Sequence, residues 1–265
     1  MTARPLLFTV AFRKKMASLD PRERLAWLAS LGDKVVSQRA GRADAERPPE
    51  LAEVARGCRL ALVDSLDREL GPFDPHILAA ILEVPRERFV RPADVGRSAD
   101  DEPLPLDDDG LATISAPHAY ALSFRLLGLA EGDRVVELGA GTGYGAALAA
   151  FIVGTSGHVT TFEIDPVLAA AASRTVADLG NVTVIEGDAM ASPAQWGAAR
   201  KVAATFAVDS IPAAWLDGLP EGGVLVAPVG PAEKDQRLVL ASKRGGAVVQ
   251  TQHGAVRYVK NRSKL

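Results

Sequence analysis

The segment Val135-Val136-Glu137-Leu138-Gly139-Ala140-Gly141-Thr142-Gly143-Tyr144-Gly145 constrains the fold of this chain more than any other. An apolar run ends in alternating glycines and then gives way to a helical stretch. Glycine lets the backbone turn tightly there, and a ligand can lie against bare main chain at the helix N-terminus. Downstream, short β-like runs alternate with helical stretches, the pattern of a parallel α/β sheet. Strands are expected at residues 134–138, 158–163, 182–185, 201–205, 223–229, 237–242 and 255–259, with helices at 144–153 and 166–179. Lys243-Arg244-Gly245-Gly246 joins the last two strands and is too short for a crossover helix. The expected fold is therefore α/β, a mostly parallel seven-stranded sheet with helices on both faces, ending in an antiparallel hairpin.

Composition narrows the function. With 33 acidic against 30 basic side chains and a formal net charge of −3, the chain has no broad basic surface to neutralise phosphates. Neither nucleic acid nor an anionic membrane is an expected partner. No apolar run approaches the roughly 18 residues of a membrane-spanning helix. The early run at residues 5–12 is followed, not preceded, by Arg13, Lys14 and Lys15, so no secretory signal is expected and the compartment is the cytoplasm. A single cysteine, Cys58, forms no internal disulfide, and the 4 histidines show no ligand spacing, so no metal is expected.

The chain reads as two parts. Asp20-Pro21 resembles the N-cap and first-turn proline of an amphipathic helix carrying Leu25, Leu28 and Leu31, and residues 37–50 read as a polar linker. Residues 1–57 are thus an expected helical extension and linker, and 58–265 the main domain. Helical spacing covers residues 51–70, Asp74-Pro75 opens a short helix ending at Pro85, and Asp107-Asp108-Asp109-Gly110 marks a loop.

Acidic residues at strand ends indicate what the glycine turn binds. In the dinucleotide fingerprint the third glycine would fall on Tyr144, although the frame from Gly141 reaches the permitted Ala146. Glu137, two residues before the first glycine, would repel a pyrophosphate but suits a cationic amino group, directly or through water. Glu163, at the tip of the next strand, can accept from both hydroxyls of a ribose. Asp188, after the third strand, can accept from an adenine amino group. This constellation resembles the class I S-adenosylmethionine methyltransferases, which implies a Rossmann-like sheet and S-adenosylmethionine as cofactor. In that resemblance Glu137, Gly139, Gly141 and Gly143 match the first motif, Glu163 the ribose contact and Asp188 the adenine contact.

Upstream, Ala112-Thr113-Ile114-Ser115-Ala116-Pro117-His118 resembles the active-site loop of protein-L-isoaspartate O-methyltransferases. Further matches lie in order at Val84-Pro85-Arg86-Glu87-Arg88-Phe89-Val90, at Gly222-Gly223-Val224-Leu225-Val226-Ala227-Pro228-Val229-Gly230 and at Val256-Arg257-Tyr258-Val259, so the resemblance covers residues 58–260. It implies methyl transfer to the free α-carboxyl of isoaspartyl residues in aged proteins or peptides, by a monomer. Ser115 matches the family's active-site serine. Thr113, Ile114, Ile164 and Ala189 join the cofactor site, and Pro117, His118, Thr205 and Phe206 join Ser115 around the acceptor. His118 either bonds to the backbone at the helix start or faces the substrate, Tyr120 borders the same pocket, and Tyr144 packs. The chain departs from the family at Ala199-Arg200-Lys201 and at Thr205-Phe206-Ala207, where an aromatic ring at Phe206 beside the acceptor pocket is expected either to narrow it or to give the substrate a different surface. Two other functions fit the residues: a carboxyl methyltransferase dedicated to one partner peptide, and a cofactor-binding module without catalysis.

Overall fold

In the computed structural model the described residues are 49–231 and 235–263. The helix expected near Asp20 and most of the polar linker lie outside them. Helix α1 (Pro49–Leu70) runs unbroken through residues 57 and 58, and α2 (Pro75–Glu83) follows it, with the Asp74 side chain accepting from the His76 N–H as N-cap. Strands β1 (Leu104–Pro105) and β2 (Thr113–Ile114) form a small antiparallel ribbon around the Asp107–Gly110 loop. Helix α3 (Pro117–Leu127) leads into β3 (Arg134–Leu138), α4 (Tyr144–Val153), β4 (His158–Glu163), α5 (Pro166–Thr175) and β5 (Val182–Glu186). Then come β6 (Lys201–Ala204), α6 (Ala213–Gly218), β7 (Val224–Val229), β8 (Gln236–Arg244) and β9 (Ala247–Val256).

The sheet order is β5-β4-β3-β6-β7-β8-β9. Strands β3 to β7 are parallel, and β8 is antiparallel to both of its neighbours. From β3 the chain builds outward to β4 and β5, then returns across β3 to β6. That reversal opens a crevice at the carboxyl ends of β3 and β6, the usual ligand position in such sheets. Helix α4 is apolar almost all round because it is wedged between the sheet and α2. On the other side of the crevice a core of Phe162, Trp196, Val202, Trp215 and Leu225 backs β6 and β7. Its two indoles are satisfied, Trp196 donating to Ser192 Oγ and Trp215 to the Ala189 carbonyl.

Two expectations are corrected. The last strand is not residues 255–259 but Ala247–Val256, starting directly after the tight Gly245-Gly246 turn, whose N–H groups donate to Glu221. It is an edge strand exposed on both faces, so Gln250-Thr251-Gln252-His253 replaces the apolar alternation that would have marked it. Residues 257–263 instead leave the sheet, with Lys260 bridging to Ala207. Helix α5 ends at Thr175, short of residue 179, with Val176 turning out of the helix as C-cap.

Candidate active site

The glycine loop is held in a shape that side chains would resist. Gly139, Gly141 and Gly143 have φ of 99°, 55° and 94°, in the left-handed region. The N–H groups of Gly139 and Ala140 both donate to the Phe162 carbonyl, at 2.8 and 2.9 Å. Glu163, at the tip of β4 and 6% exposed, closes the turn: one carboxylate oxygen accepts from the Gly141 N–H at 2.7 Å and the other from the Asp165 N–H at 3.0 Å. On the opposite side, the Thr205 hydroxyl bonds to the Gly139 carbonyl at 2.6 Å. Burial pushes the Glu163 carboxyl above its ordinary pKa, although its two N–H donors oppose the shift.

Two connected clefts meet at this loop. The larger encloses ≈ 540 Å³ out to its open mouth and is walled by Gly139, Gly141, Glu163, Ile164, Asp188 and Ala189, with residues 259–263 across it. Asp188 accepts from the Met190 N–H at 2.8 Å and from Ser263 Oγ at 2.7 Å. Arg262 stands 3.2 Å from Asp165 Oδ2, and its buried Nη1 has no hydrogen-bond partner among the described residues. The smaller cleft, ≈ 230 Å³, is lined by Leu106, Ile114, Ser115, Tyr120, Thr142 and Tyr144. Thr113, Gly139, Gly141 and Thr205 line both clefts. A single ligand can therefore run from Asp188 past the glycine loop toward Ser115. Carboxylates at the strand tips and bare backbone between them are compatible in chemistry with S-adenosylmethionine.

Several expected residues sit elsewhere than the sequence implied. Glu137 lines neither cleft. It is 4% exposed beneath the loop, where it accepts from Thr161 Oγ1 at 2.6 Å and from the Ala146 N–H, so it caps the buried start of α4. Gly143 packs instead against α5, where a Cβ would come within 3.0 Å of Val176. Pro117 opens α3, and His118 lines neither cleft: its N–H donates to Asp101 Oδ1 and its Nδ1 lies 2.9 Å from Asp101 Oδ2. Burial would raise the Asp101 carboxyl, but the hydrogen bonds with His118 outweigh it and hold the group below its ordinary pKa.

Phe206 is the largest change of place. It walls the larger cleft, edge-on to Trp215 with ring centroids 6.1 Å apart, and its Cδ1 would lie 3.0 Å from a Cβ on Gly139. The ring walls the larger cleft and is not part of the lining of the smaller one that holds Ser115. Sequence reasoning missed residues 259–263 and Asp101. The former were marked only by the family-like Val256-Arg257-Tyr258-Val259 just ahead of them.

The buried state of Glu137 makes a pH prediction. Burial, with a smaller addition from the charge of Glu163, pushes its pKa from 4.5 up to about 8. A raised folded-state pKa stabilises fully below the ordinary value, and that stability is lost as pH rises through about 8. In thermal melts the wild-type chain is expected to lose stability as pH rises from about 4.5 to about 8, while Glu137→Gln, with no proton to lose, shows a flatter profile over that range. Parallel profiles would contradict this assignment.

The fold and these clefts define a class I, Rossmann-like methyltransferase that uses S-adenosylmethionine. Residues 59–265 match the family model of protein-L-isoaspartate(D-aspartate) O-methyltransferase. A protein-L-isoaspartate O-methyltransferase of Methanosarcina mazei is 35% identical over 81% of this chain and 87% of its own. One from Anaeromyxobacter is 33% identical over 91% and 96%. A solved protein-L-isoaspartate O-methyltransferase superposes with a TM-score of 0.69 at 31% identity, covering 76% of this chain and 65% of that one. A Plasmodium falciparum chain solved with S-adenosyl-L-homocysteine shares the fold, with a TM-score of 0.67 at 21% identity over 77% of this chain and 98% of its own. The chain belongs to the protein-L-isoaspartate(D-aspartate) O-methyltransferase family.

Proposed function

We propose that this chain transfers the methyl group of S-adenosylmethionine to the free α-carboxyl of L-isoaspartyl residues in damaged proteins and peptides, with Ser115 meeting the acceptor carboxylate. The observation that carries this reading is that Ser115, 8% exposed, lines the smaller cleft, which shares Thr113, Gly139, Gly141 and Thr205 with the larger one. When bound, S-adenosylmethionine supplies an electrophilic methyl on a sulfonium. Glu163, Asp188, Gly139 and Gly141 hold the adenosine end, and Ile164, Ala189 and Phe206 supply apolar surface beside it. Thr113 and Thr205 stand where the two clefts meet.

The acceptor carboxylate is ionised at neutral pH and needs no general base. The protein's task is to align it and to replace its water shell with a few oriented donors. Leu106 and Ile114 bring apolar side chains to the smaller cleft, beside the polar groups of Ser115, Thr142 and Thr205. The methyl ester then cyclises to a succinimide, whose hydrolysis returns some normal aspartate. The catalytic unit is residues 58–265, in keeping with the family match, and 1–57 is an extension. The near-neutral charge supports action without nucleic acid or an anionic membrane surface, and no helix among the described residues is long and apolar enough to cross a membrane; a cytoplasmic monomer is part of the same proposal. Because Phe206 faces the cofactor side, it no longer motivates a dedicated partner peptide.

Ser115→Ala tests this reading. Removing one donor to a charged acceptor is expected to lower kcat/KM for an isoaspartyl peptide by roughly 10- to 100-fold, with S-adenosylhomocysteine affinity held within about threefold. Unchanged turnover in steady-state kinetics would remove Ser115 from the mechanism.

A further inference from the structure

Arg86, in a short 3-10 turn after α2 (Arg86–Arg88), is 1% exposed. Burying a guanidinium is costly unless its donors are satisfied. Here Nη1 donates to the carbonyls of Ser98 at 3.2 Å and Asp100 at 3.0 Å, and Nη2 to those of Glu102 at 2.8 Å and Ser115 at 3.0 Å. Among the described residues, these acceptors are all main-chain carbonyls, and Nε has no partner. The cation also lies 5.9 Å from the centre of the Tyr144 ring, one wall of the smaller cleft.

The four carbonyls belong to two segments that the reaction needs in register. One is residues 98–102, which carries Asp101 and through it grips both the N–H and the ring of His118. The other is the loop of Ser115 itself. We propose that Arg86 is the positioning residue of the acceptor pocket, a planar fork that locks the Ser115 peptide to the Asp101–His118 pair. Fixing the Ser115 carbonyl fixes the rotation of that peptide, and so the direction in which Cβ and the hydroxyl leave it. A lysine keeps the charge but has no planar fork to span four carbonyls. The inference rests on the assignment of Ser115 as the acceptor's donor. It assigns Arg86 no contact with substrate or cofactor.

The test uses the full chain with Arg86→Lys and Arg86→Gln, reading S-adenosylhomocysteine affinity, kcat and KM for an isoaspartyl peptide, and backbone hydrogen exchange. In both variants kcat/KM is expected to fall by roughly 100-fold, the scale of an ångström's misplacement. Cofactor affinity should stay within about threefold of wild type, because the hydrogen bonds of Arg86 go to Ser98, Asp100, Glu102 and Ser115 and not to Glu163, Asp188, Gly139 or Gly141, and exchange should quicken only across residues 98–118. If Arg86→Gln does not fold, Arg86→Lys decides. A folded variant with wild-type kcat/KM, cofactor affinity lost in step with activity, or faster exchange throughout the sheet would overturn the proposal. If the wild-type chain binds S-adenosylhomocysteine yet methylates no isoaspartyl peptide, the reading of Ser115 fails. The exchange pattern still decides Arg86: local loosening supports it, and unchanged protection overturns it.

Discussion

Glu163→Ala is expected to lower the affinity for S-adenosylmethionine and S-adenosylhomocysteine by roughly 100-fold, about 2.7 kcal/mol, the range of one or two hydrogen bonds to a charged acceptor. The side chain acts twice. In the proposed function it is the acceptor for the ribose, and its two oxygens also hold the Gly141 and Asp165 N–H groups, one in the glycine loop and the other at the N-cap of α5. Removing it orphans both donors beside the site they shape. Glutamine is not a rescue, because both backbone partners are donors and one end of the amide is a donor as well. Glu163→Gln should therefore also weaken binding, in contrast to the mild effect of a typical isosteric change. Because burial raises the Glu163 pKa, wild-type affinity should fall with decreasing pH sooner than an ordinary carboxylate would dictate. Calorimetry on the folded variants checks this, and a loss smaller than about threefold would remove Glu163 from the cofactor site.

Gly145→Ala is expected to destabilise the protein by about 3 kcal/mol, the upper end for overpacking a filled interior. Helix propensity alone argues the other way, since alanine is favoured over glycine in a helix by roughly 1 kcal/mol. Packing wins here because a methyl on Gly145, in the first turn of α4, would overlap Glu137 Oε1 and lie 2.6 Å from Tyr120 Cε1. Neither neighbour can withdraw: Glu137 is bonded to Thr161, and Tyr120 is pinned edge-on against Tyr144 at 5.4 Å. The control is Gly57→Ala in α1, where a Cβ would meet nothing within 4 Å and stability should hold or rise. For a domain of this size the loss corresponds to roughly 6–12 °C in Tm. An unchanged or raised melting temperature for Gly145→Ala would show that Glu137 does not stand beneath the loop.

Much of the sheet was legible because its signals are local. The glycines of the loop, the acids at the tips of β4 and β5 and the Gly245-Gly246 turn announce themselves within a few residues. Glu137 shows where that ends. A carboxylate two residues before a glycine turn reads as a ligand group, but whether it faces the cleft or the underside of α4 depends on how the helix seats on the sheet. Phe206 is similar: the sequence places it at the end of β6, and only the packing of Trp215 and Gly139 decides which cleft its ring borders. The strap at residues 259–263 was hidden because its contacts, such as Ser263 with Asp188, join segments far apart in the chain. Arg86 lay in a quoted motif, yet nothing local says that its guanidinium reaches four carbonyls in two distant segments. Strand β9 escaped because an edge exposed on both faces carries no apolar alternation.

Methyl transfer to the isoaspartyl α-carboxyl is tested most directly by a pair of isomeric peptides. The full chain is incubated with S-adenosylmethionine labelled in the methyl group and either an isoaspartyl peptide or its normal aspartyl isomer, and base-labile methyl ester is counted. Label should enter the isoaspartyl peptide and leave the aspartyl isomer unmarked. Equal labelling of both, or no labelling of either by a chain that binds S-adenosylhomocysteine, would contradict it.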